Sequence, residues 1–367
     1  MIDYKLLTPG PLTTSDTVKR EMLVDHCTWD DDYKQITQMI RKKLLELAHV
    51  SRDQYTAVLM QGSGTFGVES VITSAVGPED KVLICANGAY GERQADICEH
   101  AGIAFELYCC PFDEQPDPAV IEHYLRADET LTHVSMVHSE TTSGILNDIA
   151  SVAAVTRKYH KTFIVDAMSS FGSVDIDVGK LGIDFIVSSA NKCIQGVPGF
   201  SFIICKRTAL DACKGRARSL SLDLYDQWRV MDKDGKWRFT SPTHVVLAFA
   251  QALRELDAEG GIPARYKRYR SNNRLLVSRM KAMGFKTYID EKVQGPIITT
   301  FYCPDIPRFD FSDMYTYIKK RGYAIYPGKV TDADTFRIGN IGEIYPGDMV
   351  KVTDIIGDYL EELRKKG

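Results

Sequence analysis

Short apolar runs alternate with helix-like stretches through the middle of the chain. Runs with the length and β-branched content of buried strands lie at residues 56–60, 81–86, 134–137, 162–165, 185–187 and 200–205. Between them, helices are predicted at residues 68–76, 118–127 and 149–159. Strands that alternate with helices in this way are typical of an α/β fold, in which helices cover a mostly parallel sheet.

The pattern changes after Pro242. A helix is predicted at residues 245–259, where Gly260 and Gly261 end it, and a long basic helix is predicted at residues 263–283. A strand at 296–302, a helix at 312–320 and a short strand at 335–338 follow. This order is typical of a smaller α+β unit. We therefore expect a large domain at residues 16–255 and a small domain formed by residues 1–15 and 256–367.

Two of the predicted strands end in charged residues. Asp166 follows the apolar residues 163–165, and Lys192 closely follows the strand at 185–187. The carboxyl ends of parallel strands form the edge at which an open α/β sheet binds its ligand, so we expect both side chains there. Pyridoxal 5′-phosphate requires such a pair, a lysine that forms a Schiff base and a carboxylate that keeps the pyridine nitrogen protonated. The pair therefore predicts a site that moves amino groups.

A glycine-rich loop at residues 61–67, between a strand and a helix, is a candidate phosphate site. Its glycines let the backbone approach an anion at a helix N-terminus. The loop also matches the G-x-G-x-x-G pattern of dinucleotide-binding folds, but the next strand ends at Asn87 without the acidic residue expected there. A Walker A loop is excluded because no Gly-Lys-Ser/Thr follows, and a plain glycine turn remains an alternative. The hydroxyls of Ser63 and Thr65 favour a phosphate monoester.

Two further segments follow strands at the same predicted edge. Tyr90 comes after the strand at 81–86 and is placed to stack on a flat heteroaromatic ring, although a loop tyrosine often only packs. Residues 138–144 carry several hydroxyls that could form a hydrogen bond with an oxygen on that ring. The alternative is that this segment is only an ordinary turn between a strand and a helix. Neither His133 nor His138 has a second ligand at metal spacing, so we expect no metal site.

Composition and charge fit a metabolic enzyme. The 367 residues carry a net charge of −4, and no basic patch indicates nucleic-acid binding. Nine cysteines without C-x-x-C pairs indicate neither a disulfide framework nor a zinc site. The first residues lack the apolar stretch of a signal peptide, and no run reaches membrane-spanning length. We therefore expect a cytoplasmic protein with reduced thiols and no membrane partner.

Several segments resemble the pyridoxal-phosphate-dependent aminotransferases of class V, in the alanine–glyoxylate branch. They are LTPGP at 7–11, GSGT at 62–65, NGAYG at 87–91, SETTSG at 139–144, VDAMSS at 165–170, SSANK at 188–192 and FRIG at 336–339. Four more are most similar to members that transfer the amino group of 2-aminoethylphosphonate to pyruvate: CTWDDDY at 27–33, NKCIQGVPGF at 191–200, SLSLDLYDQW at 219–228 and YPGK at 326–329. The resemblance covers nearly the whole chain.

This resemblance implies a fold of type I, a large domain that binds pyridoxal phosphate, and roles for individual residues. Lys192 would bind the cofactor covalently, and Asp166 would pair with its pyridinium nitrogen. Tyr90 would stack on the ring, where members of the branch often carry tryptophan, and Thr141 would lie beside the ring's 3′-oxygen. Arg337 would bind the anionic end of the substrate, and the alternative for this residue is a surface salt bridge.

The resemblance further implies a phosphate site and a second subunit. Ser63, Gly64 and Thr65 would hold the cofactor phosphate, with one more bond from Asn191. Thr243 matches a position that reaches the phosphate site of the neighbouring subunit. We therefore expect a homodimer with shared active sites, acting on the small molecules 2-aminoethylphosphonate and pyruvate and forming phosphonoacetaldehyde and L-alanine.

Four other functions remain as alternatives. An alanine– or serine–glyoxylate aminotransferase would use the same lysine, aspartate and arginine, so only the flanking loops separate it from the expected activity. A cysteine desulfurase needs a nucleophilic cysteine on a mobile loop, and residues 326–335 contain none. A nicotinamide oxidoreductase is permitted by the glycine loop but lacks the ribose-binding acid. A non-catalytic module that binds phosphate is the fourth.

Overall fold

The computed structural model describes residues 4–330 and 333–366. The helices are α1 (Asp16–Arg20), α2 (Asp31–Leu47), α3 (Gly64–Ala75), α4 (Ala89–Ala101), α5 (Pro118–Ala127), α6 (Ile149–Lys158), α7 (Val178–Leu181), α8 (Arg207–Ala212), α9 (Leu224–Asp234), α10 (Thr243–Glu259), α11 (Gly261–Ala282), α12 (Phe311–Lys319) and α13 (Pro346–Lys366). The strands are β1 (Lys5–Leu6), β2 (Tyr55–Gln61), β3 (Lys81–Ala86), β4 (Ala104–Cys109), β5 (Leu131–Val137), β6 (Ser139–Glu140), β7 (Ile145–Leu146), β8 (Thr162–Asp166), β9 (Phe185–Ser189), β10 (Phe200–Lys206), β11 (Ile298–Tyr302), β12 (Tyr323–Ala324), β13 (Tyr326–Pro327) and β14 (Thr335–Gly339).

Seven strands form the central sheet in the order β2-β10-β9-β8-β5-β3-β4. Neighbours from β9 to β4 are parallel, whereas β10 runs antiparallel to both β2 and β9. The chain reverses at β10 because no crossover helix lies between β9 and β10, and antiparallel neighbours need only a short connection. The predicted α/β fold with a mostly parallel sheet is confirmed, and Lys192 lies in the reversing segment.

The strands predicted from the sequence are present, with ends shifted by a few residues. Both helices near Gly260 are also present, but this single residue separates them. Gly260 ends α10 in the left-handed region with a φ of +107°, which glycine adopts without strain, and α11 begins at Gly261, two residues earlier than predicted. The sequence pattern did not predict α2, α4, α9, α13 or the edge strand β4.

Alternate residues of the central strands pack on opposite faces of the sheet. Leu83 and Cys85 of β3 belong to one hydrophobic cluster, and Val82 and Ile84 belong to another. Helices cover both faces, so successive side chains are buried on either side and each strand reads as a continuous apolar run. The loops at the carboxyl ends of these strands are therefore held by a core on each side.

A third hydrophobic cluster surrounds the small sheet β11-β14-β13 and contains side chains of α11, α12 and α13. Leu7 packs in this cluster, and β1 pairs with β12, so the N-terminal segment is tied to the C-terminal part of the chain. The predicted division into a large domain at residues 16–255 and a small domain at residues 1–15 and 256–367 stays a prediction. Residues 1–3, 331, 332 and 367 of the predicted small domain lie outside the described part. Among the described helices, none combines the length and the apolar character that a membrane crossing requires.

Candidate active site

A cavity of about 190 Å³ lies at the carboxyl ends of the parallel strands. Its walls come from the segments that follow β2, β3, β5, β8 and β9, which the sheet brings to a single edge. Of the predicted site residues, the lining includes Ser63, Gly64, Thr65, Tyr90, Thr141, Asp166, Asn191 and Lys192. Residues far apart in the sequence thus meet where an open α/β sheet binds its ligand.

Lys192 lies in the segment that joins β9 to β10. Its amine donates a hydrogen bond to the carbonyl oxygen of Pro9 at 2.8 Å. A Cβ atom on Gly10 would lie 2.8 Å from the same amine, so glycine lets the N-terminal segment pass close to the lysine. Burial lowers the pKa of Lys192 to about 8. Near neutral pH, a larger share of this amine is uncharged and nucleophilic than in a solvated lysine.

Asp166 is the last residue of β8, next to β9 in the sheet. One of its carboxylate oxygens accepts a hydrogen bond from the backbone N–H of Met168 at 2.9 Å. Burial nevertheless raises the pKa of Asp166 to about 6, because removal from water penalises the charged form. A cationic group beside Asp166 would favour its ionised form.

Ser63, Gly64 and Thr65 form the start of α3. Ser63 is the N-cap residue and its hydroxyl makes no capping hydrogen bond, so the first N–H groups of the helix lack that acceptor. A Cβ atom on Gly64 would overlap the thioether of Met168 in the cavity wall. The guanidinium of Arg93 lies 3.4 Å from the Thr65 hydroxyl, which adds a positive charge to a helix N-terminus. The arrangement suits an anion.

Tyr90 lies in the first turn of α4 and not on a loop, so that part of the prediction is wrong. The backbone N–H groups of Tyr90 and Gly91 donate to Oε2 of Glu140 at 3.1 and 3.3 Å, and the N–H of Thr142 donates to Oε1 at 2.9 Å. Glu140 is fully buried, and burial raises its pKa. This carboxylate caps α4 from another segment and fixes Tyr90 relative to Thr141.

Arg337 on β14 lies beside the cavity. Its Nη1 donates to the carbonyl oxygen of Thr141 at 2.8 Å, and its Nε donates to the carbonyl oxygen of Pro327 at 3.0 Å. The side chain is only 3% exposed, so the alternative of a surface salt bridge is wrong. The guanidinium also lies 5.4 Å from the ring centre of Tyr326. Backbone carbonyls hold Arg337 in place without neutralising its charge.

Thr243 is not part of the cavity lining. It is the first residue of α10, follows Pro242, and is half-buried. Its predicted contact with the phosphate site of a second subunit stays a prediction. Asn191, by contrast, lines the cavity next to Lys192.

The cavity also contains polar groups that the sequence analysis did not single out. Nε2 of Gln94, Oγ of Ser139 and Oγ of Ser189 are buried, and none of these atoms has a hydrogen-bond partner in the described part of the chain. Arg93 and Gln94 lie one helical turn after Tyr90 on α4. Because residues three or four positions apart share a helix face, a prediction of α4 would have indicated both. Within residues 4–330 and 333–366, no group of three or more metal-ligating side chains is found.

A comparison with protein families gives a match over most of the chain. The family model described as aminotransferase class-V covers residues 24–337, which include all the residues that line the cavity and Arg337. This chain belongs to the class V aminotransferase family.

Similar proteins agree with this membership. A 2-aminoethylphosphonate–pyruvate transaminase of Lysinibacillus sphaericus is 59% identical over 360 residues, 98% of this chain and 98% of that protein. One of Salmonella paratyphi B is 56% identical over 356 residues, 96% of this chain and 97% of that protein. The crystal structure of an alanine–glyoxylate aminotransferase from Nostoc sp. superposes with a TM-score of 0.89 at 21% identity, over 97% of this chain and 96% of that one. The predicted fold of type I is confirmed.

Class V aminotransferases use pyridoxal phosphate, and the cavity residues fit this cofactor. The start of α3 and the guanidinium of Arg93 suit a phosphate group. The buried carboxylate of Asp166 suits a protonated pyridine nitrogen, and the amine of Lys192 suits an aldehyde. The unpartnered Oγ of Ser189 and Nε2 of Gln94 are further polar atoms in the same wall.

Proposed function

We propose that this class V aminotransferase transfers the amino group of 2-aminoethylphosphonate to pyruvate, which yields phosphonoacetaldehyde and L-alanine. The observation that carries the proposal is the 59% identity, over 98% of both chains, to the Lysinibacillus sphaericus transaminase. Pyridoxal phosphate supplies an aldehyde that combines with amines and a ring that accepts an electron pair. In this reaction Lys192, Asp166 and Arg337 each have a separate role.

Lys192 provides the amine that holds the cofactor and, once released, the base of the reaction. Its lowered pKa of about 8 leaves a useful fraction of neutral amine near neutral pH. Nζ removes the proton from the substrate carbon that bears nitrogen and returns a proton during the transfer. A base whose pKa lies close to the working pH serves both directions of proton transfer.

Asp166 holds the proton on the pyridine nitrogen. The carboxylate is buried, and its pKa of about 6 reflects burial with little compensating positive charge. Beside a protonated ring nitrogen, Asp166 would gain that charge and would stay ionised. The two groups therefore stabilise each other's charged forms.

Arg337 binds the anionic end of each substrate in turn. Its guanidinium is fixed by the carbonyl oxygens of Thr141 and Pro327, and no described carboxylate is paired with it. A planar guanidinium pairs with a carboxylate or a phosphonate through two parallel hydrogen bonds. One arginine thus serves both pyruvate and 2-aminoethylphosphonate.

An alanine– or serine–glyoxylate aminotransferase is the alternative, and it is less well supported. It would use the same Lys192, Asp166 and Arg337, so the site alone does not exclude it. The alanine–glyoxylate enzyme from Nostoc sp. is 21% identical to this chain, against 59% for the phosphonate transaminase.

The test is formation of L-alanine by the purified enzyme from 2-aminoethylphosphonate and pyruvate. L-serine as competing donor and glyoxylate as competing acceptor are measured in parallel, with Lys192→Ala as an inactive control. We expect the highest kcat/KM for 2-aminoethylphosphonate with pyruvate. A higher kcat/KM for L-serine with glyoxylate would establish the alternative.

We also propose a homodimer and a cytoplasmic location. Large apolar side chains are exposed at Leu23, Val24, Trp29, Leu220 and Phe239, which we call the apolar patch, and His244, next to Thr243, contacts Asp25, next to Val24. Apolar patches of this kind are typical of surfaces that bind another protein. The unpaired cysteines suit a reducing compartment.

A further inference from the structure

Three cationic side chains lie close together above the active-site cavity. The ammonium of Lys329 lies 4.3 Å from the ring centre of Tyr90, and the guanidinium of Arg93 lies 4.9 Å from the same ring. Arg337 is near enough that its charge, like that of Arg93, lowers the pKa of Lys329, although burial is the largest cause. In the described part of the chain, no carboxylate forms an ion pair with any of the three. Glu140 and Glu92 are near enough to raise the pKa of Lys329, but neither is paired with it, so positive charge predominates at the mouth of the site.

The β13–β14 hairpin carries two of these cations. Tyr326 of β13 pairs with Arg337 of β14, and the carbonyl oxygen of Pro327 accepts the hydrogen bond from Nε of Arg337. The N–H of Gly328 donates to the carbonyl oxygen of Thr335 at 2.9 Å, and a Cβ atom on Gly328 would overlap Thr335. Lys329 follows immediately. The backbone that fixes Arg337 thus also fixes the direction from which Lys329 reaches Tyr90.

The two substrates of the proposed reaction differ in charge. Pyruvate presents a carboxylate with a single negative charge, whereas a phosphonate, like a phosphate monoester, carries about −1.5 to −2 near neutral pH. One guanidinium balances the carboxylate but leaves most of the second charge of the phosphonate unbalanced. A buried, unbalanced charge is costly, so a pocket that takes both substrates needs a second cation for one of them.

We propose that Lys329 is the residue that selects the phosphonate, by supplying the second positive charge beside Arg337. This inference rests on the proposed function and deepens it. Lys329 suits the task because its ammonium is a point charge on a flexible stem, and its cation–π contact with Tyr90 is weak compared with a pairing to a phosphonate. When pyruvate or L-alanine occupies the site, Lys329 stays over Tyr90. When the phosphonate is bound, the ammonium turns to its oxygens.

The test compares Lys329→Met with the wild-type holoenzyme. Two ligands that lack the amine and therefore do not react, ethylphosphonate and propionate, are titrated at pH 8, and kcat/KM is measured for 2-aminoethylphosphonate and for L-alanine. A hydrogen bond between charged groups is worth about 1.5–3 kcal/mol, so we expect about 10- to 100-fold losses for ethylphosphonate and 2-aminoethylphosphonate. Propionate and L-alanine should change less than about twofold. Lys329→Arg should restore most of the phosphonate affinity.

Lys319→Met is the matched control, because Lys319 also lies over tyrosine rings, but those of Tyr4 and Tyr315, neither of which lines the cavity as Tyr90 does. It should leave all four ligands unaffected, and melting temperatures show whether each variant is folded. Equal losses for phosphonate and carboxylate ligands in Lys329→Met, or no loss for either, would overturn the role of Lys329. Failure of the wild-type enzyme to use 2-aminoethylphosphonate would instead overturn the proposed function, and this inference with it.

Discussion

At the scale of single residues, the active site depends on two ionisable side chains whose pKa values are shifted by burial. Lys192 has a lowered pKa and Asp166 a raised one, and burial is the largest cause of both shifts. Both shifts favour the uncharged form, so for each side chain burial outweighs the compensating contacts within the protein. A cofactor that carries both an aldehyde and a basic nitrogen compensates both at once.

The pKa of Lys192 leads to a prediction about pH. Only the neutral amine attacks an aldehyde, and a pKa lowered from 10.5 to about 8 means that the neutral form predominates above pH 8. The rate at which apoenzyme binds pyridoxal phosphate covalently should therefore rise from pH 6.5, reach half its maximum near pH 8 and then level off. Stopped-flow absorbance measures this rate. A rate that still climbs tenfold between pH 9 and pH 10 would show an ordinary lysine.

The reactive pair could be predicted from the sequence, because strands that end in charged residues place them at the edge of the sheet. Glu140 and Arg93 could not be predicted in the same way. Glu140 acts through backbone N–H groups of another segment, Tyr90 and Gly91, and Arg93 lies on a helix that the apolar pattern did not indicate. Residues that act through tertiary contacts leave no periodic signal in the sequence.

At the scale of elements, the turn that carries Lys192 is held by the junction of α10 and α11. Arg265 of α11 is 1% exposed and donates to the carbonyl oxygen of Cys193 at 2.7 Å. Arg268 of the same helix donates to Oε1 of Gln195 at 3.1 Å. Gln195 itself adopts a left-handed conformation with a φ of +70°, which costs free energy in a residue other than glycine. The two arginines stabilise this turn from outside the sheet.

Glu259, the last residue of α10, neutralises both arginines. It accepts from Nε of Arg265 at 2.6 Å and from Nε of Arg268 at 2.7 Å. Glu259→Gln should lower the free energy of unfolding by roughly 3 kcal/mol, the low end of the range for breaking a buried ion pair. It should also weaken cofactor binding, because the Lys192 turn loses its support. Urea unfolding and equilibrium titration with pyridoxal phosphate measure the two effects.

Asp257→Asn is the control for this prediction. Asp257 also lies on α10, but its ion pair with Lys43 is half exposed, so its loss should cost less than about 1 kcal/mol. Equal effects of Glu259→Gln and Asp257→Asn would mean that Glu259 has no special role in the support of the turn.

Element types were more predictable from the sequence than their directions or ends. β10 was predicted as a strand, but its antiparallel direction depends on a connection without a helix, which a local pattern does not reveal. β4 was missed because several of its side chains are exposed at the edge of the sheet, so it lacks a continuous apolar run. An edge strand such as β4 forms because it pairs with the neighbouring strand, and its own apolar pattern indicates it only weakly.

At the scale of the whole molecule, part of the apolar patch adjoins the start of α10. The ammonium of Lys236 lies 4.7 Å from the ring centre of Trp29, and the guanidinium of Arg238 lies 5.0 Å from that of Phe239. His244, which follows Thr243, contacts the carboxylate of Asp25 at 2.9 Å, next to Val24. Trp29 is 69% exposed, Leu220 75% and Leu23 81%, which is unusual for side chains of this size. A second copy of the chain on this surface would cover them.

The proposed homodimer leads to a prediction that links assembly to cofactor binding. The wild-type holoenzyme should have twice the chain mass of 41.2 kDa in light scattering. The double variant Trp29→Asp with Phe239→Asp should shift towards the single-chain mass, because each dimer would then bury two charges per subunit in an apolar interface. If Thr243 of one subunit completes the phosphate site of the other, the monomeric variant should also bind pyridoxal phosphate more weakly.

Leu107→Asp is the matched control, since Leu107 is an exposed apolar residue on β4, at the other edge of the sheet from β2. A monomeric wild-type enzyme that retains its cofactor would contradict the shared site, whereas a double variant that becomes monomeric with unchanged affinity would contradict only the role of Thr243.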